Sequence, residues 1–216
     1  MLLYHFVNRK YALENLAKRR LKISEIEGLN DPFELLAINI QDKKLRKLVK
    51  QSKDAVSRDS GIICFSKSWR SPLQWAHYAD RHRGLCLGFE VKEEQLEMLL
   101  PVKYVKNRKV INASELDAKL LFELLSTKYD AWKHEEEYRL VVPLGQANSQ
   151  NLYFKSFSSG MKLREVLIGA ECDISETELR NNLGDLRLDT RVMTVRPAFG
   201  KFEMVHDLRK SHFYWL

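Results

Sequence analysis

Gly61-Ile62-Ile63-Cys64-Phe65-Ser66 is uncharged, rich in β-branched residues and closed by a hydroxyl, so it reads as a buried strand. Gly84 to Val91 is a second run of this kind. Between them, Ser71-Pro72 opens a short helix with Pro in its first turn. Towards the N-terminus, Leu2 to Val7 gives a strand. Residues 10–20 give a helix: Tyr11, Leu13 and Leu16 share helical spacing, and Lys18-Arg19-Arg20 suit its C-terminal dipole. Leu21 to Ser24 is a strand, Gly28 to Pro32 a turn, Glu34 to Ile40 a further strand, and about 42–57 a basic helix. Towards the C-terminus, residues 92–99 predict a helix and Val102 to Val105 a strand. Ser114 to Lys133 is expected as the longest helix, with Leu116, Leu120, Leu121, Leu124 and Leu125 on its apolar face. Glu137 to Val142, Val166 to Gly169 and Val192 to Arg196 read as strands, and about 175–183 as a helix. The aromatic end, Phe213 to Leu216, is expected to dock on the sheet. Short strands with interspersed helices, and no βαβ alternation with a glycine-rich phosphate loop, exclude a Rossmann or P-loop protein. The expectation is an α+β fold: one domain over residues 1–216, with a mixed or antiparallel sheet flanked by helices.

Composition narrows the function classes. The chain has 216 residues, enough for one domain with a proper core. No stretch reaches the roughly 18 apolar residues of a membrane span, and the apolar start at Met1 to Phe6 lacks the basic leader and cleavage site of a signal peptide. Cys64, Cys86 and Cys172 lie outside any CxxC spacing, which argues against a disulfide framework and a cysteine zinc site and for a reducing cytoplasm. His77, Asp80 and His82 fit no established metal spacing, so no metal is expected. The net charge of +7 allows a polyanionic partner, but the excess is moderate and spread out, and a solvated basic exterior is the better account of it, including its densest cluster, Lys43 to Lys50.

Four segments could carry chemistry. Tyr4-His5-Phe6 puts a ring that both donates and accepts into a strand; His5 could hold a ribose hydroxyl or act as acid or base, or be a satisfied sheet histidine. In Leu29 to Glu34, Asn30, Asp31 or Glu34 could line a pocket edge, or form a structural Asx turn. Ser66 and Ser68 project hydroxyls at alternate positions. Beyond them Trp75 and Tyr78 lie three apart on a helix, as do His77 and Asp80; aromatics beside polar groups suit a planar ring such as nicotinamide or adenine, and equally suit ordinary packing. In Trp132 to Val142, strand periodicity puts Glu135, Glu137 and Arg139 on one face. The carboxylates would raise each other's pKa and share acid/base work or hold ribose hydroxyls, unless Arg139 simply pairs with one of them.

LYHF (3–6), LNDPFE (29–34), CFSKS (64–68), PLQWAHYADRHRGLCLGFE (72–90), WKHEEEYRL (132–140) and LREVLIGAEC (163–172) occur in that order. Together they closely resemble the bacterial domain-of-unknown-function family 2971 over about residues 2–200. More distantly, a strand-one His, a strand ending in serines and an ExE before a later strand are similar to ADP-ribosyltransferases, and the 65–78 stretch looks like the matching region of toxins that ADP-ribosylate DNA. The resemblance implies that His5 holds the NAD ribose and Ser66 supports the nicotinamide pocket. It implies that Trp75 or Tyr78 stacks on the ring, and that Glu137 is catalytic with Glu135 assisting. Lys67 stands where that superfamily's serine motif has its middle residue. On this resemblance the expected function is an NAD-using transferase to nucleic acid or protein, or an NAD glycohydrolase, suited to a toxin or phage-defence effector. The candidate catalytic residues are Glu137, Glu135 and His5. The candidate cofactor-binding residues are Tyr4, His5, Asn30, Asp31, Ser66, Ser68, Trp75, His77, Tyr78 and Arg139. A nucleic-acid-binding or nucleic-acid-cleaving module, and a nucleotide-sensing domain without turnover, are the competing expectations.

Overall fold

A computed structural model describes residues 1–92 and 98–210. The strands are β1 (Leu2–Val7), β2 (Arg20–Glu25), β3 (Ser60–Ser66), β4 (Leu85–Val91), β5 (Leu99–Pro101), β6 (Lys103–Val105), β7 (Thr127–Tyr129), β8 (Glu137–Pro143), β9 (Tyr153–Ser156), β10 (Met161–Ile168), β11 (Arg191–Pro197) and β12 (Met204–His206). The helices are α1 (Arg9–Lys18), α2 (Lys43–Asp59), α3 (Pro72–Tyr78), α4 (Ala118–Leu125) and α5 (Glu176–Leu183). Among the described residues ten strands form one sheet along the path β12-β11-β10-β4-β1-β3-β2-β9, with β8 and β5 branching from β3. Its pairings are antiparallel except β10 with β11, and β6 with β7 makes a separate parallel pair. The fold is α+β, a mainly antiparallel sheet with flanking helices.

Both sheet faces are covered, which is why β3 and β4 read as continuous apolar runs rather than alternating ones. Leu3, Phe65, Leu87 and Phe89 pack one face against Leu16 of α1 and Leu179 and Leu183 of α5. On the other face Ile62 and Val141 meet Leu45 and Val49 of α2 and Leu120 and Leu124 of α4, while Tyr4, Cys86 and Leu167 meet Trp75 of α3. Helix starts follow their side-chain caps: Asn8 accepts from Tyr11 N, Asp42 from Leu45 N and Asp117 from Leu120 N.

Two sequence expectations are corrected. Ser114 to Lys133 is not one helix: α4 begins after Asp117 and ends at Ser126, whose hydroxyl lies 3.2 Å from the Phe122 and Glu123 carbonyls. The chain then extends as β7 beside β6 and closes in a 3-10 turn over Asp130–Glu135. The longest helix is α2. Glu34 to Ile40 is not a strand: Leu35 sits at φ 60, Leu36 N bonds Phe33 O, and Ile38 alone bridges to Lys109. Most of the 92–99 helix, and the Phe213 to Leu216 docking, lie outside the described residues.

The sheet forks at β3. Along one edge β3 pairs with β8 from Ser60 to Ser66. Its other edge is divided: β2 takes Gly61 and Ile62, and β1 meets it at one register, Tyr4 opposite Ser66. The gap between them leaves Cys64 O without a strand partner, and His5 Nδ1 approaches it at 2.9 Å.

Candidate functional site

A cavity of about 260 Å³ fills this fork. Tyr4, His5 and Phe6 border it from β1, Lys22 and Ser24 from β2, and Ile63 to Ser66 from β3. Gly28, Leu29 and Asn30 form one rim with Tyr78 and Gln74. Glu34, Lys128, Glu135 and Glu137 complete the wall.

These last residues belong to a buried charge network. Arg139 is fully buried and spends all five N–H groups. Nε and Nη2 donate to Glu137, at 3.0 and 3.1 Å. Nη1 and Nη2 donate to the two Glu34 oxygens at 2.7 Å each, and Nη1 also donates to Leu125 O. Lys128 Nζ reaches Glu135 Oε2 at 2.6 Å and Glu137 Oε2 at 3.3 Å, and stands 4.8 Å from the centre of the Trp132 ring. Tyr78 donates its hydroxyl proton to Glu135 Oε1 at 2.5 Å and accepts from Asn30 Nδ2 at 2.8 Å. Among the lining residues three carboxylates, Glu34, Glu135 and Glu137, face two lysines, Lys128 and exposed Lys22, and Arg139 stands behind the wall as a third cation.

The electrostatics depart from what two adjacent carboxylates alone imply. Burial would raise the Glu137 carboxyl, but Arg139 and Lys128 outweigh it and hold Glu137 below the usual carboxylate range. Burial opposes the charge on Lys128 and on Arg139, yet the surrounding glutamates raise both. Burial keeps His5 below the usual histidine range, so it is neutral at pH 7. With Nδ1–H donated to Cys64 O, its Nε2 is an acceptor. Burial, then Glu135, pushes the Tyr78 hydroxyl far up, so it remains a donor.

Glu135 and Glu137 converge for a reason other than strand alternation. Glu135 ends the 3-10 turn, Glu136 takes a left-handed conformation (φ 45), and only Glu137 lies in β8. Lys128 between them offsets their repulsion.

The remaining expected site residues fall into three groups. His5, Asn30 and Tyr78 line the cavity beside the two glutamates. Ser66 also lines it, but its hydroxyl is committed: it accepts from Gln74 Nε2 (2.7 Å) and Ser68 N (3.1 Å), with Glu135 O at 2.7 Å and Ser68 O at 2.8 Å to take its proton. Ser66 therefore fixes the backbone of Glu135. Tyr4 borders the cavity, yet its ring packs over Gly88 and its hydroxyl donates to Glu165 on β10. A Cβ at Gly88 would stand 3.1 Å from that ring. The others lie away from the cavity wall. Trp75 is fully buried, donates Nε1–H to Trp69 O and packs edge-on against Phe6, so it cannot stack on a ligand. Asp31 is a buried turn cap on Phe33 N. Ser68 Oγ accepts from Arg70 N. His77 is exposed and lines a separate surface groove with Asn8 and Arg9. Arg139 stands behind Glu137 and is not in the lining. Lys128 and Gln74 were not anticipated.

Gln74, Tyr78, Lys128, Glu135, Glu137 and Arg139 all fall between positions 74 and 140. Residues 74–140 match the family model described as Protein of unknown function (DUF2971). The DUF2971 match is narrower than the expected 2–200 and omits His5, Glu34 and Ser66, which complete the cavity from outside it. No curated protein and no solved structure matches the chain. Among the described residues no helix is long and apolar enough to cross a membrane.

Proposed function

We propose that the cavity takes the nicotinamide–ribose end of NAD and that the protein breaks the bond between them, passing ADP-ribose to a nucleophilic acceptor or to water. The observation that carries this reading is the cluster of three carboxylates at the wall of a cavity bordered by His5, Phe65 and Tyr78. The nicotinamide ring of NAD is a cation. When its bond to ribose breaks, the electron pair leaves with the ring and positive charge appears at the anomeric carbon. A carboxylate fixed in a water-poor site stabilises that charge strongly. Arg139 and Lys128 keep Glu137 ionised, which suits an electrostatic stabiliser better than a proton acceptor. Glu135, oriented by Tyr78, assists, and Nε2 of neutral His5 accepts from a ribose hydroxyl or the carboxamide. A cavity of about 260 Å³ suits one ring and its sugar, with the rest of the dinucleotide outside, past exposed Lys22.

The test is nicotinamide release from NAD by purified protein, alone and with DNA, RNA or cell lysate. The expected result is release that falls about 10²–10³-fold in Glu137→Gln, with folding checked by circular dichroism. Absence of release from folded protein under every condition would sink the reading. One observation favours a second: each oxygen of Glu135 and Glu137 already accepts from a protein donor. A wall so satisfied also suits a nucleotide sensor, which would bind NAD by calorimetry without consuming it.

A further inference from the structure

The hairpin between β11 and β12 holds two phenylalanines out in solvent: Phe199 is 87% and Phe202 102% exposed. Two aromatic rings held this open on one hairpin offer flat apolar faces for contact. The hairpin is well anchored. Ala198 N donates to Glu203 O at 2.8 Å, and Met204 N donates to Arg70 O at 2.8 Å, tying the tip to the loop after β3. Its surroundings are cationic: Arg70, Arg196, Lys201 and Arg209 share two carboxylates, Glu203 and Asp207. The Arg196 guanidinium lies 4.2 Å from the Phe199 ring centre. The Arg70 guanidinium lies 4.7 Å from that of Trp69, whose ring stacks on His206.

We propose that this tip docks single-stranded nucleic acid, with bases stacking on Phe199 and Phe202 and phosphates meeting the surplus cations. Every unpaired base offers a flat face that such rings can take, and a duplex hides those faces. Two rings expose too little apolar area for the core of a stable protein interface. Arg70, which the tip touches through Met204 N, is also four residues from Ser66 on the cavity wall. The other dense basic surface, the outer side of α2 with Lys43, Lys44 and Lys47, contains no aromatic residue. The proposal stands independently of the NAD reading; if both hold, the strand lies where an acceptor for ADP-ribose is needed.

The experiment is fluorescence anisotropy of the full chain with labelled single-stranded DNA and RNA of about 15 nucleotides, and with the same DNA as duplex. Expected are a preference for single strands and a loss of at least about tenfold in affinity for Phe199→Ala/Phe202→Ala. Phe199→Tyr/Phe202→Tyr should retain binding, and Lys43→Glu/Lys47→Glu should cost less. Both phenylalanines face solvent, so the double alanine variant should keep the parent melting temperature. Absent strand binding, or binding unchanged in the double alanine variant, overturns the proposal. So does a variant that loses only adsorption to phosphatidylserine-containing vesicles, or only self-association.

Discussion

Arg139 and Glu34, 105 residues apart, form a two-pronged ion pair with both contacts at 2.7 Å and both side chains almost wholly shielded from water. This pair ties the turn after Asn30 to β8, and so fixes one rim of the cavity to the strand that carries Glu137. Parallel N–H groups suit two carboxylate oxygens at once, a geometry that a lysine ammonium cannot reproduce.

Arg139→Ala should therefore cost about 3–5 kcal/mol of stability, since it leaves Glu34 and Glu137 buried without their main partner. Arg139→Lys should recover only part of this. Urea denaturation at pH 7 measures both, and a lysine variant as stable as the parent would show that the fork is not what matters.

Tyr78→Phe removes the hydroxyl between Asn30 and Glu135 while keeping the ring. The loss should be about 1.5–3 kcal/mol, the range for hydrogen bonds to charged groups. Under the NAD reading, turnover should fall while NAD affinity changes little, because the ring persists and the carboxylate loses its orientation. Steady-state kinetics beside a binding isotherm separate the two effects.

Stability should decline on the acid side in two stages. His5 is lowered from 6.5 in the folded protein, so the unfolded chain takes up the proton first. Its contribution is intact above 6.5 and is lost as pH falls through the folded value. Glu137 is lowered from 4.5, and its contribution is lost further down by the same sign. On the basic side Lys128 is raised from 10.5, so its contribution persists to 10.5 and fades above it. His5→Gln should shrink the first stage without removing it, because burial also lowers His82 and His206. Denaturation midpoints from pH 4 to 8 check this; a parent curve flat down to pH 5 would contradict it.

Cysteine reactivity reports on the cavity. Burial, then Glu137, raises the Cys64 thiol well above its ordinary value, and Cys86 is raised by burial and Glu165. Burial pushes Cys172 up only to about 11. Iodoacetamide at pH 8 should label Cys172 first, Cys64 slowly and Cys86 last. NAD should slow Cys64 alone, read by peptide mass spectrometry; equal rates with and without NAD would place NAD elsewhere.

The main sheet strands β1, β2, β3, β4, β8, β10 and β11 and helix α3 were legible in the sequence because their signals are local: apolar runs, β-branched residues, a proline in a first turn; the short β5, β7, β9 and β12 carry no such signal. His5 stood out as a polar residue in an apolar strand, Asn30 by its turn composition, Tyr78 by helical spacing, and the two glutamates by their place at the entry of a strand. Lys128 did not. Leucines at helical spacing carried the apparent helix from Ser114 past Ser126, and inside it Lys128 was one more solvated lysine. Only pairing with β6 turns it inward. Trp75 misled for the opposite reason: helical spacing puts it near Tyr78, but spacing does not say which ring faces core and which faces cavity. Glu34 to Ile40 read as a strand, while its contacts are with residues distant in sequence: Arg139 holds the Glu34 side chain, and Lys109 takes the backbone of Ala37 and Asn39.

The fork at β3 also fixes when the cavity can exist. One wall comes from residues 4–6, the opposite one from 128–137. At about 5–20 residues per second of translation, roughly 6 to 27 seconds separate their synthesis. Throughout that interval β1 has been made but the carboxylates that complete its cavity have not, so a nascent chain that stops before β8 carries none of the chemistry proposed for the finished protein.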